Sequence, residues 1–434
     1  MRSILVLFCF LNAVYCYAQQ NVAYKIPKKS FITLSDSILI KKDVHNELAV
    51  IYEQARNKKI VAIGEVTHGT KEVMEFQHLI ATQLVKLHHF NCIVLGEISM
   101  LDSYKINDYV VNERRSVADI MIKKKIRARD AAYRQRDMMP LYIWIRNFNK
   151  QRPFKEKIWV IGTDIDQPEE IISFLKEHCL NHGINKAVPI LEELNKNLRK
   201  LPNSAKININ TIADSANQLL SILENSRVNS DSTNMKTDVM VRVLKTLPNS
   251  MAFWSDNDLK YKMRDKFIFE NIEWLRETCK KDKQVIIRAH NMHINKKTIY
   301  TEIFGKFPSF GEYLSKQYQT DYMSIGTEVQ KGRFYAGFSG SSKIAQHKNK
   351  LGTIIGCQAK AKYGVLLCDS SSKEFLNQPS HTMTFGTINY RSSILINCKG
   401  LIGDAFDAIV FIKDSTPYQL VRDYFIGELN KQPY

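Results

Sequence analysis

The sequence predicts an α/β fold: a mainly parallel sheet flanked by helices, with a helical cap insertion. Short apolar runs rich in β-branched residues alternate with segments of helical periodicity. A long, mostly helical stretch then separates the third and fourth of these runs. Continuous apolar strands are typical of parallel sheets, which are buried on both faces. With 434 residues, 44% of them hydrophobic, the chain is long enough to bury a sizeable core.

The predicted strands are short apolar runs that end near a glycine or a polar residue. They cover residues 59–64, 92–96, 158–162, 284–287, 322–326 and 406–411. Between the first two, residues 71–89 carry apolar side chains at helical spacing and predict a helix. The tail from about residue 333 has short runs between polar turns, and we expect it to complete the same sheet.

The helical stretch covers residues 167–282, with turn signals at 202–204 and 248–250. We expect residues of about 183–250 to form a helical cap beside the cleft, where substrate choice could be set. Neither an internal repeat nor a Pro/Gly/Ser-rich linker divides the chain. The sequence therefore predicts one α/β domain over residues 19–434.

The first residues have the pattern of a cleaved secretory signal. Arg2 is followed by an apolar stretch over 4–14, and Cys16 and Ala18 place small residues where signal peptidase needs them. The apolar stretch is too short to anchor the chain in a bilayer. We therefore predict a signal peptide at 1–18 and a secreted or periplasmic protein, with a buried N-terminal helix as the alternative.

The formal net charge of +18 narrows the choice of partners. Because an exported protein rarely meets nucleic acid, we expect none as a partner and predict contact with an anionic envelope surface or an anionic substrate. The most basic segment, residues 123–136, follows the second predicted strand. It is either a solvated face or a roof over the pocket.

Six cysteines remain beyond the signal. Cys92 lies in an apolar run and is predicted to be a buried free thiol. One disulfide is possible among Cys357, Cys368 and Cys398 in the tail. The Cys and His spacings do not match a zinc site.

Carboxylates and imidazoles follow four of the predicted strands. In an open parallel sheet, ligands bind beyond the carboxyl ends of the strands. Each such residue alone could be a helix cap or a satisfied core group. Together they predict one cleft, lined by Glu65 and His68, Glu97, Asp164, and His290 and His293.

Two kinds of chemistry fit this set of residues. A neutral histidine oriented by a carboxylate can take a proton from water near neutral pH. A His/carboxylate metal site is the rival, although the HExxH pattern and an Asp-rich calcium loop are absent from the sequence. A Gly-x-Ser-x-Gly elbow is also absent, which argues against a serine nucleophile on an α/β-hydrolase scaffold.

The clusters, taken in order, resemble the erythromycin esterase family. The match extends over residues of about 45–425. Its pieces are residues 64–69 with Glu72, Glu97, residues 144–149, 162–164, 264–266 with Asn271, 274–275, 289–293, 311–314 and 407–411.

The resemblance implies hydrolysis of an ester or lactone by water, without a covalent intermediate. His68 takes the role of the general base, and Glu65, Glu97, His290 and His293 match the other polar residues of the cleft. Asp164, Gln77 and Arg264 are the expected substrate-binding residues. The resemblance also implies a fold similar to haem-binding proteins of the ChaN type. We expect neither a cofactor nor a metal, and a small molecule or an acylated sugar as substrate.

The sequence departs from the family pattern at two points. The family usually has an arginine twelve residues after the motif glutamate, and here that residue is Gln77. Lys71 or an arginine of 123–136 could substitute for it. The second departure is the export signal, because esterases that open macrolide antibiotics and confer resistance act in the cytosol.

Two alternatives to an esterase acting on small molecules stay open. One is a hydrolase that modifies an acylated envelope polysaccharide. The other is a non-enzymatic protein that binds haem or a similar ligand, with His290 or His293 as the axial ligand.

Overall fold

The structure is a computed structural model of the chain. It describes residues 25–40, 46–112, 138–199, 209–226, 235–255, 257–279, 284–297, 299, 307–336, 341–384, 394–399 and 402–419. The predicted signal peptide, the basic segment 123–136 and the turn at 202–204 lie outside these ranges.

A nine-stranded, mostly parallel sheet forms the centre of the molecule, in the order β1-β8-β11-β6-β2-β5-β3-β4, with β7 paired to β6. Five of its strand pairs are parallel, and β1, β7 and β8 pair antiparallel at one side. The strands are β1 (Phe31–Leu34), β2 (Ile60–Glu65), β3 (Cys92–Ser99), β4 (Trp159–Asp164), β5 (Val285–His290), β6 (Tyr322–Tyr335), β7 (Ser341–Lys343), β8 (Tyr363–Leu367), β9 (Pro379–Thr384), β10 (Ile394–Lys399) and β11 (Ala408–Ser415).

Helices connect the strands of the sheet. They are α1 (Ala49–Ala55), α2 (Lys71–His88), α3 (Met100–Val110), α4 (Met139–Asn149), α5 (Pro168–Asn181), α6 (Val188–Arg199), α7 (Ile209–Ser226), α8 (Met235–Ser255), α9 (Asn257–Trp274), α10 (Asn291–Ile294), α11 (Phe310–Tyr318), α12 (Leu351–Ala359), α13 (Lys373–Leu376) and α14 (Ile402–Ala405). Short 3-10 turns lie at Phe154–Glu156, Asn185–Ala187 and Gln319–Asp321, and a π-helical turn follows α9 at Leu275–Cys279.

The predicted fold class is confirmed, because the apolar runs form strands that are buried on both faces. All six residues of β2, β4 and β5 are buried. The helix predicted over 71–89 is α2, which ends where His89 takes a left-handed conformation at φ 61°. Within the helical insertion, α7 packs against α8, and α8 packs against α3 and α5.

Three details differ from the sequence predictions. The turn predicted at 248–250 is wrong: α8 continues through Pro248, since Leu247 and Met251 on either side of it are buried against the core. The tail joins the main sheet through β8 and β11, whereas β9 and β10 form a separate two-stranded sheet. The disulfide left open in the tail is not formed, because Cys357, Cys368 and Cys398 are free thiols, as is the buried Cys92.

Within the described ranges, the helices are all too short or too polar to cross a bilayer.

Asn149, at the end of α4, hydrogen-bonds to the end of α3 and to the residue that precedes β4. Its side-chain amide donates to the carbonyls of Val110 and Ile158, both at 2.9 Å, and its Oδ1 accepts from the N–H of Ile158 at 2.7 Å. Because Asn149 is fully buried, these backbone groups cannot form hydrogen bonds with water if the side chain is removed.

We therefore expect Asn149→Ala to lower the free energy of unfolding by about 3 kcal/mol, because it leaves buried backbone groups unpaired. Urea denaturation followed by circular dichroism measures the change. Asn147→Ala is the matched control, since Asn147 lies exposed on the same helix and its loss should cost less than about 0.5 kcal/mol. Equal destabilisation by the two variants would contradict this account.

Candidate active site

The carboxyl ends of neighbouring strands bring the predicted polar residues together. Parallel pairing of β2 with β5 sets Glu65 directly beside His290. Glu97 lies near the end of β3, and Asp164 is the last residue of β4. All four side chains are more than nine-tenths buried. The polar residues predicted at this edge of the sheet therefore lie together in one cluster.

Two glycines, Gly64 near the end of β2 and Gly69 in the turn that follows, allow other backbone and side-chain groups to approach closely. A Cβ on Gly64 would overlap the side-chain oxygen of Asn291, and a Cβ on Gly69 would overlap the backbone of Tyr335 in β6. The carbonyl of Gly69 also accepts from the N–H of Tyr335 at 2.9 Å. This packing fixes the turn that carries His68.

His68 lies between two carboxylates. Its Nδ1–H donates to Glu65 Oε1 at 2.5 Å, and its Nε2 is 3.5 Å from Glu97 Oε1. Burial lowers the pKa of His68, but the charges of Glu97 and then Glu65 outweigh this effect, so the pKa is raised above the usual value. The imidazole is 14% exposed and can therefore reach a ligand in the cleft.

Glu97 is the shared partner of the cluster. Its Oε2 accepts from the backbone N–H of His290 at 2.7 Å, and its Oε1 lies 3.3 Å from His293 Nε2 and 3.7 Å from the guanidinium of Arg264. Burial alone would raise the pKa of Glu97, yet His68, His293 and Arg264 hold it well below its usual range. The carboxylate is therefore ionised in the interior.

Arg264, on α9, forms a two-pronged ion pair with Asp164. Its Nε donates to Oδ1 at 3.0 Å and its terminal nitrogen to Oδ2 at 2.8 Å. The other terminal nitrogen is 3.4 Å from His293 Nε2. Burial lowers the pKa of Arg264, but Asp164 and Glu97 reverse the effect and raise it. These two bonds hold the guanidinium in one orientation, and the side chain of Arg264 is 21% exposed.

His293, on α10, is held as a cation. Its Nδ1–H donates to Asp265 Oδ1 at 2.7 Å, and its Nε2 faces Glu97. Burial lowers the pKa of His293, but Asp265 and Glu97 outweigh this and raise it to about 9. The ring therefore presents a positive charge at neutral pH.

His290 has the opposite character. Its Nε2–H donates to the carbonyl of Val66 at 2.9 Å, while Nδ1 accepts from the N–H of Met292 at 3.2 Å and caps α10. Burial, together with the nearby positive charge of His68, lowers its pKa to about 3. With both nitrogens bonded to backbone, His290 is a neutral support, its ring centroid 5.0 Å from that of His68.

Gln77 is not part of this cluster. It is buried below it, where its amide donates to the carbonyl of Ile63 at 3.1 Å and its oxygen accepts from Arg288 at 2.5 Å. Arg288 thus brings a guanidinium to the residue that replaces the family arginine. Lys71, considered as a substitute, instead lies 3.8 Å from the partly exposed Glu75.

A second, small apolar cluster includes residues that follow Asp164 and Arg264 in the chain. Ile165, Phe253 and Phe267 form a small apolar cluster apart from the main core, with the half-buried Trp254 packed against it. The indole N–H of Trp254 donates to the carbonyl of Asp166 at 3.1 Å.

Sequence reasoning assigned no role to three residues that the structure places at or beside the cluster: Asp265, Arg288 and Asp166. Burial raises the pKa of Asp166 to about 7, and its Oδ1 accepts from the N–H of Leu101 at 3.0 Å. Asp166 follows β4 by two residues, so the strand-end argument could have included it. Asp265 and Arg288 carry no such signal, because only the packing of α9 and α2 gives them their partners.

Within the part of the chain that the structure describes, Glu65, His68 and Glu97 are the residues best placed to hold a metal ion. Each offers one ligand atom, and these atoms lie within 4.8 Å of one another. Two cations border the same position, however, since Arg264 and His293 both contact Glu97. Their charges oppose the entry of a divalent ion.

Comparison with known proteins places the chain among hydrolases. The erythromycin esterase family model matches residues 85–415. The erythromycin esterase type II of Escherichia coli is 22% identical over 302 residues, which cover 63% of this chain and 70% of that protein.

Two solved structures share the fold. A succinoglycan biosynthesis protein aligns with a TM-score of 0.72 at 17% identity, covering 92% of this chain and 98% of the other. A histidine-to-asparagine variant of the erythromycin esterase EreC, in its open conformation, aligns with a TM-score of 0.62 at 16% identity, covering 90% and 99%. The family match extends over most of the chain; it includes β3, β4 and β5 with Glu97, Asp164 and His290, and it begins after Glu65 and His68. The chain therefore belongs to the erythromycin esterase family, and this membership supports a hydrolase.

Proposed function

We propose that the protein hydrolyses an ester or lactone by direct attack of water, with His68 as the general base. The observation that carries the proposal is the position of His68. Glu65 holds Nδ1–H, which leaves Nε2 as the nitrogen that can accept a proton beside the cations Arg264 and His293.

Each step has a residue suited to it. Nε2 of His68 takes a proton from water as the water oxygen attacks the carbonyl carbon. Arg264 and protonated His293 stabilise the oxyanion that forms, since both charges are fixed before the reaction. When the tetrahedral intermediate collapses, the alcohol oxygen leaves and receives the proton from His68. The products are a carboxylic acid and an alcohol.

The hydroxyl groups in the turn that carries His68 support direct attack by water. Thr67 and Thr70 flank His68 in the same turn, and their hydroxyls hydrogen-bond to each other. The hydrogen bond of the His68 ring described above is donated by Nδ1–H to Glu65. An activated serine or threonine would instead share a hydrogen bond with the base.

The geometry favours hydrolysis over axial ligation of haem. A haem ligand needs an accessible ring nitrogen. Both nitrogens of His290 bond to backbone groups, and both nitrogens of His293 face carboxylates. We also propose export through the signal at residues 1–18, which places the reaction outside the cytosol.

We expect His68→Asn to lower kcat by about 10²- to 10⁴-fold on a hydrolysed ester while leaving binding nearly unchanged, because the amide cannot act as the base. A panel of esters, lactones and acylated sugars identifies the substrate, and kcat and KM are then measured. His182→Asn, on an exposed histidine after α5, is the matched control. Full activity of His68→Asn would refute the mechanism.

The pH profile of kcat/KM should be bell-shaped. His68 must be neutral, so activity falls as pH drops through a pKa that lies above the usual histidine value. His293 must be protonated, so activity also falls above about pH 9. Asp265→Asn removes the largest charge that raises the pKa of His293, and it should move the alkaline limb to lower pH without moving the acid limb. An unmoved alkaline limb in this variant would exclude His293 as its source.

We propose that catalysis needs no metal ion. Activity should therefore survive prolonged dialysis against a chelator, because Arg264 and His293 supply the positive charge that a metal would bring. Rates before and after dialysis are compared on the same substrate. Loss of activity that one divalent ion restores would overturn this proposal.

A further inference from the structure

The cluster at the strand ends has a negative net charge, although the chain as a whole has a positive one. The whole chain has a formal net charge of +18, but the cluster contains more carboxylates than cations. Its carboxylates are Glu65, Glu97, Asp164 and Asp265, and its fixed cations are Arg264 and His293. Two negative charges remain when His68 is neutral, and one remains when it is protonated.

The next layer adds to the negative charge. Asp166 lies two residues beyond Asp164, is 5% exposed and gains its charge near pH 7. Asp102, also buried, lies near enough to disfavour that charge, and its partner Lys105 is 3.7 Å away and 40% exposed. Burial matters here, because charges removed from water are screened less than the lysines and arginines of the surface.

The ion pairs also fix where each charge acts. Arg264 and His293 are each paired with their own aspartate, at 2.8 Å and 2.7 Å. Their positive charge is therefore directed at a short-range target such as a developing oxyanion, and it is largely cancelled a few ångströms away. The cluster as a whole then repels a second negative charge carried elsewhere on the substrate.

We propose that the cleft selects uncharged or cationic esters and rejects esters that carry a carboxylate near the scissile bond. The proposal rests on the ester hydrolysis proposed above. It replaces the anionic substrate that net charge alone suggests.

Three para-nitrophenyl esters of matched length test this: the butyrate, the hemisuccinate and the γ-(trimethylammonio)butyrate. Each kcat/KM is divided by the rate of the same ester with hydroxide, which removes intrinsic reactivity. At low ionic strength, we expect the anionic ester to be hydrolysed at least about fivefold less efficiently than the neutral one, and the cationic ester at least as well as the neutral one. Because the charges of the cluster are buried, raising the salt from about 0.01 M to about 0.5 M should shrink these ratios only in part.

A pair of variants separates the local field from the overall charge. At pH 8, Asp166→Asn should reduce the discrimination against the anionic ester, since it removes a buried charge beside the cleft. Asp414→Asn makes the same change of charge on a 55% exposed residue at the end of β11, and it should leave the ratios unchanged. The ratio of the anionic to the neutral ester in the wild-type protein gives the answer even if Asp166→Asn does not fold, because the overall positive charge would favour the anionic ester.

The outcomes distinguish this inference from the proposed function. Hydrolysis of the anionic ester as fast as the neutral one, or faster, overturns the charge selection and leaves ester hydrolysis intact. If none of the three is hydrolysed, ester hydrolysis fails for this class, and binding of the same esters to His68→Asn by calorimetry decides the charge question. Binding in the order cationic, neutral, anionic supports it, and tightest binding of the anionic ester refutes it.

Discussion

The carboxylate of Glu97 is the constraint on which the site depends. A buried carboxylate is costly unless it is paired and hydrogen-bonded. Glu97 meets this requirement with the backbone N–H of His290 and with His68, His293 and Arg264 around it. Because it is shared, one anion at the end of β3 sets the positions of groups from the β2–α2 turn, from α9 and from α10. The same anion helps to keep His293 charged and to raise the pKa of His68.

His68 and His290 show how the surroundings of a histidine decide its protonation and its role. His68 and His290 have ring centroids 5.0 Å apart, yet their pKa values move in opposite directions. His68 faces two carboxylates, which favour its charged form. His290 faces a carbonyl and a backbone N–H in a buried place, where only the neutral ring is tolerated. One ring can therefore exchange protons with water while the other holds its neighbours in place.

Gln77 and Arg288 form a buried pair that joins α2 to β5. The guanidinium of Arg288 donates to Gln77 at 2.5 Å. Gln77 is thus a hydrogen-bonding partner of Arg288 inside the protein. Arg264 supplies a cation to the site. Its two hydrogen bonds to Asp164 hold its long side chain in one orientation.

The sequence alone determined the fold class and the edge of the sheet at which the site lies. Apolar runs mark parallel strands, and residues that follow such strands must emerge at one edge; this is why Glu65, His68, Glu97 and Asp164 could be placed together. The tertiary structure decided their partners. Asp265 reaches His293, and Arg288 reaches Gln77, only because helices distant in sequence pack beside the strands. It also decided the charge of each group, since a pKa depends on burial and on neighbours that lie close in space but are not adjacent in the chain.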